Sequence, residues 1–488
     1  MTTLIPKVDL KNGGATPTGA INRPINEKIQ EWVSVLDFGA DATGATSSST
    51  AFQNAVNGAQ FVLVPAGNYL LDAAINVPDN VIIQGQGGNA ISNIVVNANV
   101  NCFNVGSANS VNDLFITHNG EGIIINAPQK EAVHLNGNTF YATSAGATNP
   151  LIYVSGSFAW IRENSFNNAR TFAYAISIDR TTGLIHIESH IEQNTFGGAG
   201  NGIRIWSSDN SARPEGIYIT NNSMFGLSEN LRIEQVLQCT ISNNVFDQGG
   251  GYNVIFNPVN TGIQVVQMTN NYFSTPSNQS AGVAVIHLNP TAGIPLSQIG
   301  FTDNAFAFTG YGCALYSPAS DITFVGNSFS AIGDTGISLD KVSKAAIIGN
   351  TFSSVAANNI SLTDGTSGGP FSVDGNQFFS TAVCLFTKTT PSKFLFGITN
   401  TGNQLAGWSS IATTSSATPN AGYIYIPHGL NGTPQKSKII ASLIPDSLTV
   451  NGAVGVNVVT VDSTNVLVQV FYTSTGGSTY NVNLFASL

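Results

Sequence analysis

LNGNTF at 135–140, IRENSF at 161–166 and IEQNTF at 191–196 are one phrase written three times. The phrase is an apolar residue, two spacers, Asn, any residue and then Phe. It recurs at Asn138, Asn164, Asn194, Asn222, Asn244, Asn271, Asn304, Asn327, Asn350 and Asn376, with Met224 once in the Phe place. The mean step is about 26 residues, and self-similarity at a nearly fixed period marks a solenoid. Alternation around each phrase says that the repeat is built of strands. The pattern therefore predicts an all-β right-handed parallel β-helix, one coil per repeat. Equivalent residues then lie about 4.8 Å apart on successive coils. An inward Asn at a turn tolerates a left-handed backbone and bonds to the Asn above and below, while an inward Phe stacks on its neighbours and fills the core.

Composition agrees with such a rod. Charged residues make up 9% of the 488 positions, against about 25% in an average soluble protein. Gly, Asn, Ser and Thr carry the polarity instead. A net charge of −10 argues against nucleic acid and against an anionic membrane surface as partners. No apolar run reaches membrane-spanning length, and the first residues show no signal peptide. Cys102, Cys239, Cys313 and Cys384 are far apart and read as small core residues rather than disulfides. There is no CxxC, no His/Cys cluster and no calcium-loop spacing, so neither a metal nor a cofactor is expected.

Outside the repeat, residues 1–32 read as a polar head or linker, with a short helix across Asn26–Trp32. Residues 33–88 read as a cap. VSVLDFGADATG (33–44) leads to a helix across Ala51–Val56, capped from Ser47–Thr50, and FVLVPAGNYLL (61–71) is strand, turn, strand. A helix with short strands suits the open end of a β-helix, whose first coil would otherwise expose unpaired edges. The β-helix itself is expected over 89–386 and a linker or irregular cap over 387–420. In 421–488, runs at Tyr423–Ile426, Lys438–Leu443, Val454–Val461, Asn465–Tyr472 and Tyr480–Phe485 predict a small β-sandwich.

The run 33–44, the helix at 51–56, the VPAGNY turn at 64–69 and the Asn-rich coils together resemble the pectate-lyase-like β-helix of tailed-bacteriophage tailspikes, over roughly residues 30–400. The resemblance implies a homotrimer on a virion that binds, and usually cleaves, bacterial surface polysaccharide outside the cell. It also implies attachment to the phage tail, or to an adaptor protein, through the N-terminal head. That head is shorter than in many tailspikes. IPHGL at 426–430 resembles small β-domains at the ends of phage tail proteins, which implies trimer locking or accessory sugar binding.

Chemistry-bearing residues are concentrated. Every Arg except Arg23 lies between Trp160 and Asp247, and no Glu follows Glu234. Alternation assigns their facing. With Leu135, Ile161, Ile191 and Ile219 inward, the residues before them, His134, Trp160, His190 and Tyr218, form an outward column of rings. Arg162, Glu192 and, further back, Glu188 lie beside it. After each Phe a second strand directs Ile176, Ile178, Ile203, Ile205, Leu231 and Ile233 inward. That aligns Asp179, Trp206 and Glu234 in one outward column and Arg204 with Arg232 in the next. The loop 207–215, carrying Asp209 and Glu215, can wall a groove between the two faces.

Rings beside carboxylates suit a glycan. Trp206, Trp160 and Tyr218 are expected to stack on sugars, with Arg204, Arg232, Arg162, His190 and His134 bonding to them. Hydrolysis needs two carboxyl groups, about 6.5–9.5 Å apart for inversion. Asp179 and Glu234, two coils apart, stand roughly 9.6 Å apart. They are the favoured acid pair, with Glu188, Glu192, Asp209 and Glu215 in reserve. The alternatives are a lyase, with Arg204 and Arg232 neutralising a uronate and His190 or Tyr218 as base, and a non-cleaving receptor-binding spike.

Overall fold

The computed structural model describes residues 32–387 except 88–90, 184–185, 248–250, 276–282, 289–293, 317, 341, 364–370 and 380–381; outside that span it describes only isolated strands. The chain divides into two compact units, Met1–Thr240 and Ile241–Leu488.

In the first unit each coil contributes one strand to each of three parallel walls. The coil that starts at His134 shows the plan: His134–Asn136 in the first wall, Thr139–Ala142 in the second and Ile152–Val154 in the third. The next coil repeats it with Trp160–Arg162, Ser165–Asn168 and Tyr174–Arg180. Each strand pairs in parallel with its equivalent on the following coil, as Leu135 does with Ile161 and Ile161 with Ile191. Right-handed crossovers are the sense that parallel strands take. The inward columns are apolar and closed to solvent: Leu135, Ile161, Ile191 and Ile219 in the first wall, and Ile152, Ile176, Ile203 and Leu231 in the third.

The corner between the first and second walls explains the repeated phrase. Asn138, Asn164, Asn194 and Asn222 are buried and form a ladder. Asn164 donates its amide and its Nδ2 to Asn194 Oδ1, at 3.0 and 3.1 Å, and Asn194 repeats this on Asn222. Each Nδ2 also donates to a carbonyl of the preceding coil, Asn194 to Ile161 at 2.8 Å. The left-handed residue is not the ladder Asn, as the sequence suggested, but the one before it: Gly137, Glu163, Gln193 and Asn221, with φ of 67°, 57°, 56° and 56°. The corner needs one positive φ to turn the chain, and the following Asn is then free to aim its amide inward. Phe140, Phe166 and Phe196 stack directly inside the second wall, with centroids 5.1 and 4.7 Å apart.

The cap is as expected in its main parts. Ser34 caps a 3-10 turn at Val35–Phe38, with Asp37 bonding back to the Ser34 amide. The helix Ser49–Gly58 buries Ala51, Phe52, Ala55 and Val56. Gly67 allows the close approach of Ala42, whose Cβ would lie 2.7 Å from any Cβ added there. Trp32 begins a strand, Trp32–Ser34, and the rest of the helix expected at 26–32 lies outside the described residues. Cys102 is buried and free.

The second unit repeats the architecture with the ladder Asn244, Asn271, Asn304, Asn327, Asn350 and Asn376. The coil strands continue past residue 386 to Phe394–Gly397, which pairs in parallel with Phe371–Asp374. Cys313 is buried and free; the Cys384 side chain and His428 lie outside the described residues. Beyond the coils, Gly422–Pro427, Asn465–Phe471 and Gly455–Val461 form one antiparallel sheet; Ser409–Ala412, Tyr480–Ala486 and Ile439–Pro445 form another. These are the strands from which the small sandwich is built.

Candidate functional site

The first wall of the first unit carries the ring column in the expected register. His134 pairs with Trp160, Trp160 with His190 and His190 with Tyr218. The rings stack, with centroid separations of 4.7, 5.8 and 4.7 Å and interplanar angles of 23°, 6° and 14°. At these separations nothing can enter between neighbouring rings. For Trp160 the expectation of sugar stacking is corrected, because His134 and His190 occupy its two faces; Tyr218 has one face against His190. Burial, and then the Arg162 charge, push the His134 imidazole below its usual value.

Beside the rings runs the column Asn136, Arg162, Glu192. His190 Nδ1 lies 2.9 Å from Glu192 Oε1, and both side chains are about a quarter exposed (22% and 29%). A carboxylate only accepts, so Nδ1 donates. Arg162 is exposed and makes no ion pair among the described residues. Glu188 is also exposed and sits at φ 57°, opposite Gly216 at φ 67° on the next coil, with the register unshifted. Behind it the buried Ser189 and His186 bond at 3.0 Å.

The third wall also holds its register: Asp179 pairs with Trp206 and Arg204 with Arg232, and Glu234 follows Ile233 outward. Its side chains are already occupied. Arg204 lies 4.2 Å over the Trp206 ring and donates to Glu234 at 2.7 Å. Trp206 Nε1 donates to Ser177. Arg232 grips Glu229 through Nε and Nη2 at 2.9 and 2.7 Å and reaches Glu234 at 4.0 Å. Burial works against the Arg232 charge, but these carboxylates hold its guanidinium above the usual value. The Tyr174 hydroxyl donates to Glu229 at 2.7 Å, and burial, then Glu229, raise its value.

Asp179 is on the outward side, as read, yet it is sealed. It is 1% exposed. Tyr153 Oη donates to it at 2.7 Å, and the Ser208 amide and hydroxyl at 2.7 and 3.0 Å. The carboxylate anchors the start of the loop 208–214, whose far end is held by Arg180 donating to the Arg213 carbonyl at 2.9 Å. Asp209 closes its own turn by accepting from the Ser211 hydroxyl and amide, which hold its carboxyl below the usual range. Glu215 opens the next first-wall strand, paired with Ile187.

Thus the structure gathers the fourteen candidates into a ring wall, an ion-paired wall and the loop that joins them. It removes Asp179 from direct contact with any ligand. Glu229 and Tyr174 escaped the sequence reading. Both stand two residues before an inward residue, Leu231 and Ile176, so strict alternation assigns them inward; the alternation breaks at the start of these strands, where Ala175 and Asn230 are the buried residues, and no signal in the spacing could have found them. Among the described residues no group of three His, Cys, Asp or Glu is arranged to hold a metal, and no helix is long and apolar enough to cross a membrane.

The profile of the family described as "Right handed beta helix region" matches residues 229–405. No curated protein matches in sequence. Among solved structures, tailspike protein 3 of bacteriophage CBA120 aligns over 80% of this chain and 64% of its own, at 16% identity and a TM-score of 0.57. This chain therefore spans less than two thirds of that protein. A mutant tailspike of E. coli bacteriophage HK620, in complex with a pentasaccharide, aligns over 99% of this chain and 98% of its own, at 15% identity and a TM-score of 0.51. The Dettilon tailspike protein aligns over 95% of each chain, at 14% identity and a TM-score of 0.50. At such identities the likeness is one of fold alone: the right-handed parallel β-helix.

Proposed function

We propose that the chain is a phage tailspike that binds bacterial surface polysaccharide, capsule or O-antigen, on its middle coils and depolymerises it. Homotrimer assembly and attachment to the virion tail through the N-terminal region belong to the same reading. One observation carries it. Over coils 134–234 the outward side of a rod otherwise poor in charge holds a four-ring column, a His–Glu pair and a carboxylate–guanidinium cluster, all partly exposed. A rod with a purely structural role has no use for that concentration. Ring edges, imidazole and carboxylates offer hydrogen bonds to hydroxyls, which is how a flexible polar chain is read on an open surface.

For hydrolysis, the Asp179–Glu234 pair loses its support because Asp179 is sealed. Glu229 replaces it: Arg232 touches both Glu229 and Glu234. The two carboxyl groups share one guanidinium, and inversion would need them about 6.5–9.5 Å apart. Both are held as ion pairs, whereas a general acid must carry a proton. The third wall therefore supports binding better than cleavage.

The test is direct. Purified protein is incubated with extracted capsules and O-antigens from a panel of bacteria, and the chains are sized by chromatography. Shortening of at least one polysaccharide is expected. Retained binding with unchanged chain length throughout would make this a non-cleaving spike.

A further inference from the structure

We infer that the first wall cuts its substrate by β-elimination, with His190 as the base, and that the polysaccharide carries uronate residues. This rests on the depolymerase reading and names its chemistry.

The geometry follows from register. Glu192 accepts from His190 Nδ1 at 2.9 Å and so fixes the tautomer whose free lone pair is on Nε2. Nε2 has no protein partner among the described residues. The ring cannot swing, because Trp160 lies against one face and Tyr218 against the other. A carboxylate on Nδ1 with a free Nε2 is the arrangement that makes an imidazole a general base and stabilises the imidazolium it becomes. The Tyr218 hydroxyl is on the adjacent rung, about 4.8 Å along the rod. Arg162 is in register with Glu192 on the coil on the other side.

These residues match the needs of elimination. The exposed Arg162 neutralises the uronate carboxylate and so acidifies the adjacent carbon. Arg204 and Arg232, expected from the sequence for this task, are committed to Glu234 and Glu229. Nε2 removes the proton on C5. The C5–H electron pair becomes the C4=C5 double bond, and the C4–O glycosidic bond breaks with its electrons on oxygen. That oxygen takes the Tyr218 proton and leaves as the new reducing end. The phenolate is restored by a proton from the imidazolium through solvent. No oxidant, metal or second substrate enters the balance.

Glu192 is a positioning residue; His190 and Tyr218 are catalytic residues. The experiment starts with a polysaccharide that the protein shortens, and follows chain length and ultraviolet absorbance together. Shortening with new absorbance from the conjugated double bond is expected, and carboxyl reduction of the same polysaccharide should abolish both. Shortening without absorbance overturns the inference and leaves the depolymerase reading standing; no shortening of any polysaccharide overturns that reading itself. His190→Ala should lose about a hundredfold or more in kcat, keep its circular dichroism and regain part of the rate with added imidazole. Glu192→Gln should lower kcat with KM little changed, whereas Arg162→Ala should mainly raise KM. Tyr218→Phe, which keeps the stacked ring, guards against loss through misfolding. Full activity in His190→Ala or in Tyr218→Phe would refute the assignment.

Discussion

Asn194→Ala tests the ladder on which every register argument depends. The side chain is 1% exposed and makes four hydrogen bonds. It accepts from the Asn164 amide and Nδ2, and donates to the Ile161 carbonyl and Asn222 Oδ1. Alanine leaves the buried Asn164 amide without its acceptor and weakens three other groups that water cannot reach. At about 1 kcal/mol net for each of the four bonds, the loss is about 4 kcal/mol. Asn136→Ala, two residues before the corner and facing outward, should stay within about 0.5 kcal/mol. The assay is guanidinium unfolding followed by far-ultraviolet circular dichroism. If unfolding is irreversible, its rate at fixed denaturant replaces the equilibrium. A loss of 3 kcal/mol felt in that rate is about a hundredfold acceleration. Adding Asn164→Ala should cost less than it does alone, because the shared bonds are already gone. Unfolding of Asn194→Ala within about 1 kcal/mol of the parent would show that apolar stacking alone sets the register.

Three further outcomes follow from burial. Burial raises the Cys102, Cys239 and Cys313 thiols, so these should react with a thiol reagent only after unfolding; reaction in the native protein would contradict the packing. Burial also pushes His186 and His287 from 6.5 to about 4. Their neutral forms are favoured in the fold, so their contribution is intact above pH 6.5 and is lost as pH falls from there toward 4. This amounts to about 3 kcal/mol for each, and a flat stability profile across that window would refute it. Asp179→Ala should release the loop at 208–214, seen as faster amide exchange at 207–213 with unchanged exchange at 134–142; equal exchange in both would mean that the loop is held by other contacts.

The solenoid, its register and the facing of each column were legible because period and alternation are properties of the chain alone. Once Leu135, Ile161, Ile191 and Ile219 face inward, the positions of Trp160 and Arg162 follow without further information. The left-handed corner was misplaced by one residue for a physical reason. After glycine, Asn is among the residue types most tolerant of positive φ, but here it is used for its amide, and the strain falls on Glu163 and Gln193 instead. The sealing of Asp179 was not legible at all. It depends on Tyr153 from the preceding coil and on Ser208 folding back over the wall, and neither contact leaves a mark in the spacing.

Stacking has a consequence for where chemistry can arise in such a rod. A column of identical residues satisfies itself: Asn bonds to Asn, Phe packs on Phe, and nothing is left over for a ligand. Alternating opposite charges do the same, as Arg204, Arg232, Glu229 and Glu234 show. Unspent capacity requires a column whose rungs differ and do not cancel. His134, Trp160, His190 and Tyr218 are such a column, and their polar edges have no equivalent on the next rung to consume them. Arg162 adds a charge that forms no ion pair among the described residues and that acts on His134. If function sits where a periodic fold fails to neutralise itself, replacing Arg162 should disturb polysaccharide binding more than replacing Arg204, although Arg204 lies over the Trp206 ring. The opposite order, measured by binding to the intact polysaccharide, would move the site to the third wall.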